Sequence, residues 1–323
     1  MDPNPMEAIM STSRRDFLAT SLTALVGAAV APAALARPGL ARVLLRPTQE
    51  PVFTSIRRGV GYFTMRGGTI GYLINSDGVA VVDTQFPEPA ETFLKGLTSR
   101  AGDRPVDVLL NTHHHGDHTG GNRVFRGVAR RVVAHEKAAE HLRNPPGGGR
   151  APEDQLFPDT TYSDTWSMDV GDERITARYY GRGHTSGDSV ITFERANVVH
   201  MGDLMFHKRH PVVDRPAGAT IRNWMTVLQR TVEAHDADTV YIFGHANTGY
   251  PVVGSRAELE GFRNYLEALL EFVEAQVRAG RSRDEILATP GPLPGFEEYG
   301  EFGRPNPRGA LQCAYEEVME GRA

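Results

Sequence analysis

The sequence predicts a mixed α/β sandwich in one domain. Three observations carry that expectation. Short β-prone runs separated by glycine pairs follow residue 52, strands and helices then alternate up to a long amphipathic helix, and no internal repeat of fixed period breaks the order. The 323 residues, 40% hydrophobic and 23% charged, have ordinary globular composition and suffice for a sizeable core.

Taken in order, Val52–Ile56, Tyr62–Met65 and Ile70–Ile74 read as short strands, with Asn75-Ser76-Asp77-Gly78 as a strong turn. Val79–Asp83 reads as a buried strand and Pro87–Arg100 as a helix with proline near its start. Val106–Leu110, a second buried strand, ends at a histidine cluster. A strand at Arg131–Ala134 leads into a helix from Glu136 to Leu142. Asn144–Pro158, rich in proline and glycine, is a loop long enough to cover a site. Strands near Ile175–Tyr180, Val190–Phe193 and Val198–Val199 precede a helix at Ile221–His235, a strand at Thr239–Phe243 and a long helix at Glu258–Ala279. The expected organisation is a domain over 52–290 and an extension over 291–323 that packs on it.

The first residues read as a targeting segment. Ser13-Arg14-Arg15-Asp16-Phe17-Leu18 precedes an Ala-rich apolar stretch, and Ala34-Leu35-Ala36 offers small residues in the spacing a signal peptidase cuts. The stretch is interrupted by Thr20, Ser21, Thr23, Gly27 and Pro32, too weak for a stable membrane anchor. It resembles a bacterial twin-arginine leader. That likeness implies transient contact with the twin-arginine export machinery, residues 1–36 as a cleaved signal peptide, 37–51 as a linker, and a periplasmic or secreted product.

A formal net charge of -5 and the lack of Lys/Arg runs disfavour a nucleic-acid partner and leave a small molecule as the expected one. The single cysteine, Cys313, excludes an intrachain disulfide and any zinc site of paired cysteines. Histidine, by contrast, is plentiful, with 12 copies, and clustered. Alternation along an extended run sends His113 and His115 to one side and His114 to the other. Gly116 permits a sharp turn that brings Asp117 and His118 back to the same point. His184, Asp203 and His245 each lie beside glycine near the end of a β-prone run, where α/β folds gather their sites. Imidazole and carboxylate donors suit zinc, iron or manganese. Asp83 reads either as an outer carboxylate for a ligand imidazole or as a strand-end turn residue. His200 reads as core. His210, soon after Asp203, is a candidate pocket and catalytic residue.

His113-x-His115-x-Asp117-His118, followed in order by Gly183-His184-Thr185, Gly202-Asp203 and Gly244-His245, resembles the metallo-β-lactamase superfamily over about residues 52 to 250. The resemblance implies an αββα sandwich with two divalent metal ions, zinc foremost and iron or manganese as alternatives. It implies His113, His115 and His184 on one metal, Asp117, His118 and His245 on the other, and Asp203 between them. Two such cations share a water, lower its pKa toward neutrality and polarise a carbonyl, so a bridging hydroxide attacks. Asp117 is then expected to orient that hydroxide and pass a proton to the departing atom.

Departures from subfamilies narrow the expectation. No cysteine lies near Asp203, unlike β-lactamases with a cysteine ligand. The cysteine-free β-lactamases resemble this chain but usually lack the bridging aspartate, which glyoxalase II and acyl-homoserine lactonases keep. The lactonase tyrosine is Phe206 here, and a cytosolic glyoxalase II would lack a leader. The expected activity is opening of a cyclic amide or ester, a β-lactam or a lactone. The alternatives are a glyoxalase II-type thioester hydrolase, a mononuclear-iron persulfide dioxygenase-like oxidoreductase, and a metal-stabilised binding module.

Overall fold

The structure is a computed structural model that describes residues 50–303, 306 and 308–321; the leader and the start of the linker lie outside the described residues. The first sheet has seven strands in sequence order: β1 (Val52–Arg57), β2 (Val60–Thr64), β3 (Ile70–Ile74), β4 (Val79–Val82), β5 (Val108–Asn111), β6 (Val132–His135) and β7 (Thr160–Tyr162). β1 to β4 run antiparallel as hairpins, and β4 to β7 run parallel. Parallel neighbours need crossovers. Helix α1 (Pro87–Ala101) lies between β4 and β5, the short helix α2 (Gly116–Thr119) between β5 and β6, and α3 (Glu136–Arg143) between β6 and β7.

The second sheet contains β8 (Thr165–Val170), β9 (Glu173–Arg178), β10 (Val190–Phe193), β11 (Val198–His200), β13 (Val240–Ile242) and β15 (Val253–Gly254), in the order β15-β13-β11-β10-β9-β8. Helix α4 (Ile221–Glu233) lies between β11 and β13, and helices α5 (Arg256–Arg278), α6 (Arg283–Leu287) and α7 (Ala310–Glu320) follow β15. A two-stranded parallel pair, β12 (Phe206–His207) with β14 (His245–Ala246), stands apart from both sheets.

Side-chain alternation explains the layering. In β4, Ala80 and Val82 join Leu110, Ile191, Phe193 and Ile242 between the two sheets, while Val79 and Val81 pack outward with Phe93 and Leu97 of α1. On the far side, Val199 and Tyr241 pack with Trp224 of α4 and Phe262 and Leu266 of α5. Four layers result, helix–sheet–sheet–helix. Strands buried on both faces are continuously apolar for that reason, as in Val79–Val82.

Several elements differ from the sequence expectation. β8 is an edge strand whose Trp166, Met168 and Val170 face the inter-sheet core while the residues between them are exposed. Its period-two signal was present but polar. α6 opens on a capping box at Ser282 and Glu285. α7 buries Leu311, Cys313, Ala314 and Val318 in the same cluster as α4 and α5. Among the described residues, no helix is long and apolar enough to cross a membrane.

Candidate metal centre

β5 delivers the histidine cluster, and Asp83 ends its ladder. The N–H of Thr112, the residue after β5, goes to Asp83 Oδ1 at 2.8 Å and not to a neighbouring strand. Asp83 sits just past β4 with φ of +63°, a left-handed conformation costing a non-glycine residue about 1–3 kcal/mol. There its Oδ2 accepts from Thr112 Oγ1 and lies 2.7 Å from His118 Nδ1. Of its two readings, the structure favours the outer carboxylate over the plain turn residue.

All seven side chains expected from the sequence meet beyond this point. Donor atoms of His113, His115, His184 and Asp203 lie within 4.8 Å of one another, and so do those of Asp117, His118 and His245. His184 does not stand at a strand end as expected. It occupies the loop between β9 and β10, braced by Asp188, which accepts from the N–H groups of Gly183 and Thr185. Asp203 lies on a 3₁₀ turn after β11, and His245 opens β14. Gly68 packs on the His118 ring and Gly244 on Asp203, so a Cβ at either position would collide with the cluster.

Asp203 relates the two groups. Its Oδ2 lies 3.9 Å from His113 Nε2 and 3.5 Å from His184 Nε2, and its Oδ1 lies 2.9 Å from His118 Nε2 and 3.4 Å from His245 Nε2. His245 Nε2 is also 3.1 Å from Asp117 Oδ2.

The outer nitrogens fix the tautomers. His184 Nδ1 faces the Val212 carbonyl at 2.7 Å, His115 Nε2 faces Asp214 at 2.8 Å, and His118 Nδ1 faces Asp83. His113 Nδ1 lies 3.0 Å from Thr112 Oγ1, whose own proton goes to Asp83, so the ring is the donor. His113, His115 and His184 therefore turn a lone pair inward, the arrangement of a metal-binding histidine, and His118 would do so once its inner proton is displaced. His113 Nε2 and Asp203 Oδ1 are buried without a well-directed hydrogen bond, although imidazole nitrogens stand near both. Such unsatisfied inward atoms fit a cation.

Electrostatics point the same way. Burial, followed by the charge of His118, lowers the pKa of His113; burial and His115 push His184 down to about 3. Both rings are neutral donors. Burial opposes ionisation of Asp203 and Asp117, but the neighbouring imidazoles outweigh it and hold both carboxyls below their ordinary range. Burial opposes charge on His118 and His245 too, yet Asp203 and the other carboxylates raise both, so a metal there must displace protons.

Other residues depart from the sequence reading. The His114 ring is not sent away, because β5 ends at Asn111 and the chain bends at Thr112 and His113: it packs 4.6 Å from His115, and its Nε2 lies 3.7 Å from Asp214. Asp214 itself was missed, since nothing around Val212-Val213-Asp214 marks it in sequence. His210 is not brought to the cluster. Its Nδ1 meets the Tyr265 hydroxyl at 2.5 Å, its Nε2 the Gly300 carbonyl at 3.0 Å, and its ring stacks on Phe302. Proximity to Asp203 in sequence suggested a pocket role, but partners from α5 and the C-terminal segment occupy both nitrogens. His200 is buried as expected, against the Thr69 carbonyl.

The sequence pattern of the family described as the metallo-β-lactamase superfamily matches residues 65–247, more than half of the chain and all seven donors. The chain belongs to the metallo-β-lactamase superfamily. It is a metallohydrolase-family protein with a His/Asp metal-binding cluster. Metallo-beta-lactamase IND-1 of Chryseobacterium indologenes is 22% identical over 174 residues, 54% of this chain and 70% of that protein. The 2,4-dinitroanisole O-demethylase subunit alpha of a Nocardioides species is 28% identical over 135 residues, 40% of this chain but only 38% of the relative's own length. Among solved structures, a metallo-beta-lactamase from Pontibacter korlensis superposes with a TM-score of 0.57 at 21% identity, covering 68% of this chain and 99% of that one. At that identity the likeness speaks for the superfamily's αββα fold alone.

Proposed function

We propose that the protein is a two-metal hydrolase that opens a cyclic amide or ester, with β-lactams and lactones as its substrate classes. The observation that carries this reading is Asp203, whose two oxygens face the two donor groups separately. His113, His115 and His184 would hold one ion, and Asp117, His118 and His245 the other. When bound, paired divalent ions supply Lewis acidity and an acidified water. The chain supplies the remainder. Asp117, ionised and partly open to solvent, is placed to orient a water and to carry its proton to the departing nitrogen or oxygen. His118 and His184 are held rigid by Asp83 and Val212, so the donor set is organised before substrate arrives.

A mononuclear iron oxidoreductase would need only part of this set, and the assembled Asp117, His118 and His245 group favours the two-metal reading. Relatives named as β-lactamases support the lactam class, whereas Asp203 supports the lactone class. The Arg14-Arg15 leader supports export and cleavage after Ala36. The test is a panel of nitrocefin, a homoserine lactone, a thioester and a phosphodiester, assayed with zinc, manganese or iron, alongside metal counting. Turnover of either cyclic substrate with near two equivalents of colourless metal supports the reading. Turnover of none, or a single iron, sinks it.

A further inference from the structure

A cavity of about 250 Å³ opens beside His115 and Gly116. One wall comes from α3 and the Pro/Gly-rich loop, through Leu142, Pro145, Pro146 and Ala151; the other includes Arg308. The character of its lining is mostly apolar, and among the described residues no carboxylate lines it. Two guanidiniums do. Arg150 is exposed and loosely paired with Glu153 at 3.7 Å. Arg308 is better placed. Its carbonyl accepts from the Val213 N–H at 3.1 Å, and Gly309 forms a bridge with Val212, so the backbone here is tied to the strand-like segment that also orients His184. Its Nε stands 3.3 Å from Asp214 Oδ1, while its terminal nitrogens make no hydrogen bond among the described residues. A tethered guanidinium with unused donors, above apolar walls and beside the cluster, is an anion anchor for an apolar ligand arm.

We infer that this cavity binds the side arm of the substrate, and that it selects an apolar arm bearing a carboxylate, which Arg308 anchors. The inference rests on the hydrolase reading and adds a substrate class to it. The cavity holds a fragment rather than a whole ligand, as expected if the scissile ring lies over the metals and the arm runs toward α3. Arg308 lies beyond the stretch shared with the family, so this selectivity belongs to the C-terminal segment of this chain.

The experiment compares calorimetric binding of 5-phenylpentanoate and the isosteric 5-phenylpentanamide to the full chain, metal-loaded and after chelation. The carboxylate should bind about tenfold tighter, as a charge-assisted bidentate contact allows, and that preference should survive chelation. Arg308→Ala should remove the preference and Arg308→Lys should keep part of it. Ala151→Asp, on the loop and clear of the donor set, should remove it by repulsion. Equal affinities overturn the inference. So does a preference that vanishes with the metals, because the anion is then reading the metals, or one that survives both Arg308→Ala and Ala151→Asp. An intact carboxylate preference without turnover of any cyclic substrate sinks the hydrolase reading instead; turnover without the preference sinks only the subsite.

Discussion

His115 Nε2 lies 2.8 Å from Asp214 Oδ2, and the opposite ring nitrogen of the same imidazole lies 2.8 Å from His184 Nε2. Asp214 is fully buried, so its carboxylate fixes which nitrogen of His115 carries the proton. Asp214→Ala should therefore weaken metal binding at the three-histidine group by about 10–100-fold while the chain still folds. Competition against a chromophoric chelator measures this. Unchanged affinity would leave Asp214 as packing alone.

Removing a donor outright should do more. His115→Ala is expected to lose at least one metal equivalent and all turnover. Its melting temperature should fall in metal-containing buffer, because a ligand bound only by the native state stabilises it. Elemental analysis and a thermal melt read both effects, and a variant with full metal content and normal rate would remove His115 from the ligand set.

Asp117 separates ligation from proton transfer. If its carboxylate only holds metal, excess zinc should restore Asp117→Asn. If it also moves the proton, the fully metallated variant should remain slower by about 10²–10⁴-fold, with the loss in kcat rather than in KM. We expect the second outcome. Full rescue by metal would require another proton carrier.

His210 tests a structural role against a catalytic one. Burial lowers its pKa below the ordinary value of about 6.5. In the window below that value the unfolded chain binds the proton more readily, so this contribution to stability is present at neutral pH and is lost as pH falls. His210→Gln should therefore melt lower than the parent at pH 8, with the gap narrowing at pH 5, and turnover should be retained. A large loss of kcat without loss of stability would restore its catalytic candidacy.

Export is checked separately. Replacing Arg14 and Arg15 by Lys should leave the precursor in the cytoplasm, and mass spectrometry of the exported protein should find an N-terminus at Arg37. An exported chain that begins at Met1 or Met10 would remove the leader reading.

The fold class and the gathering of His113, His115, Asp117 and His118 were legible in the sequence because both are written locally. Buried parallel strands such as Val79–Val82 must be apolar throughout, and a turn that folds donors back on one point needs the Gly116 spacing of His113, His115, Asp117 and His118. β8 was harder to see, since an edge strand is half polar. The tertiary structure alone decided the outer partners. Asp214 is adjacent to His115 only because the loop after β12 returns to the cluster, and His210 leaves it because Tyr265 and Gly300, distant in sequence, saturate its nitrogens. A hydrogen bond across such a separation follows from how the layers close, and residue type at one position carries no record of it.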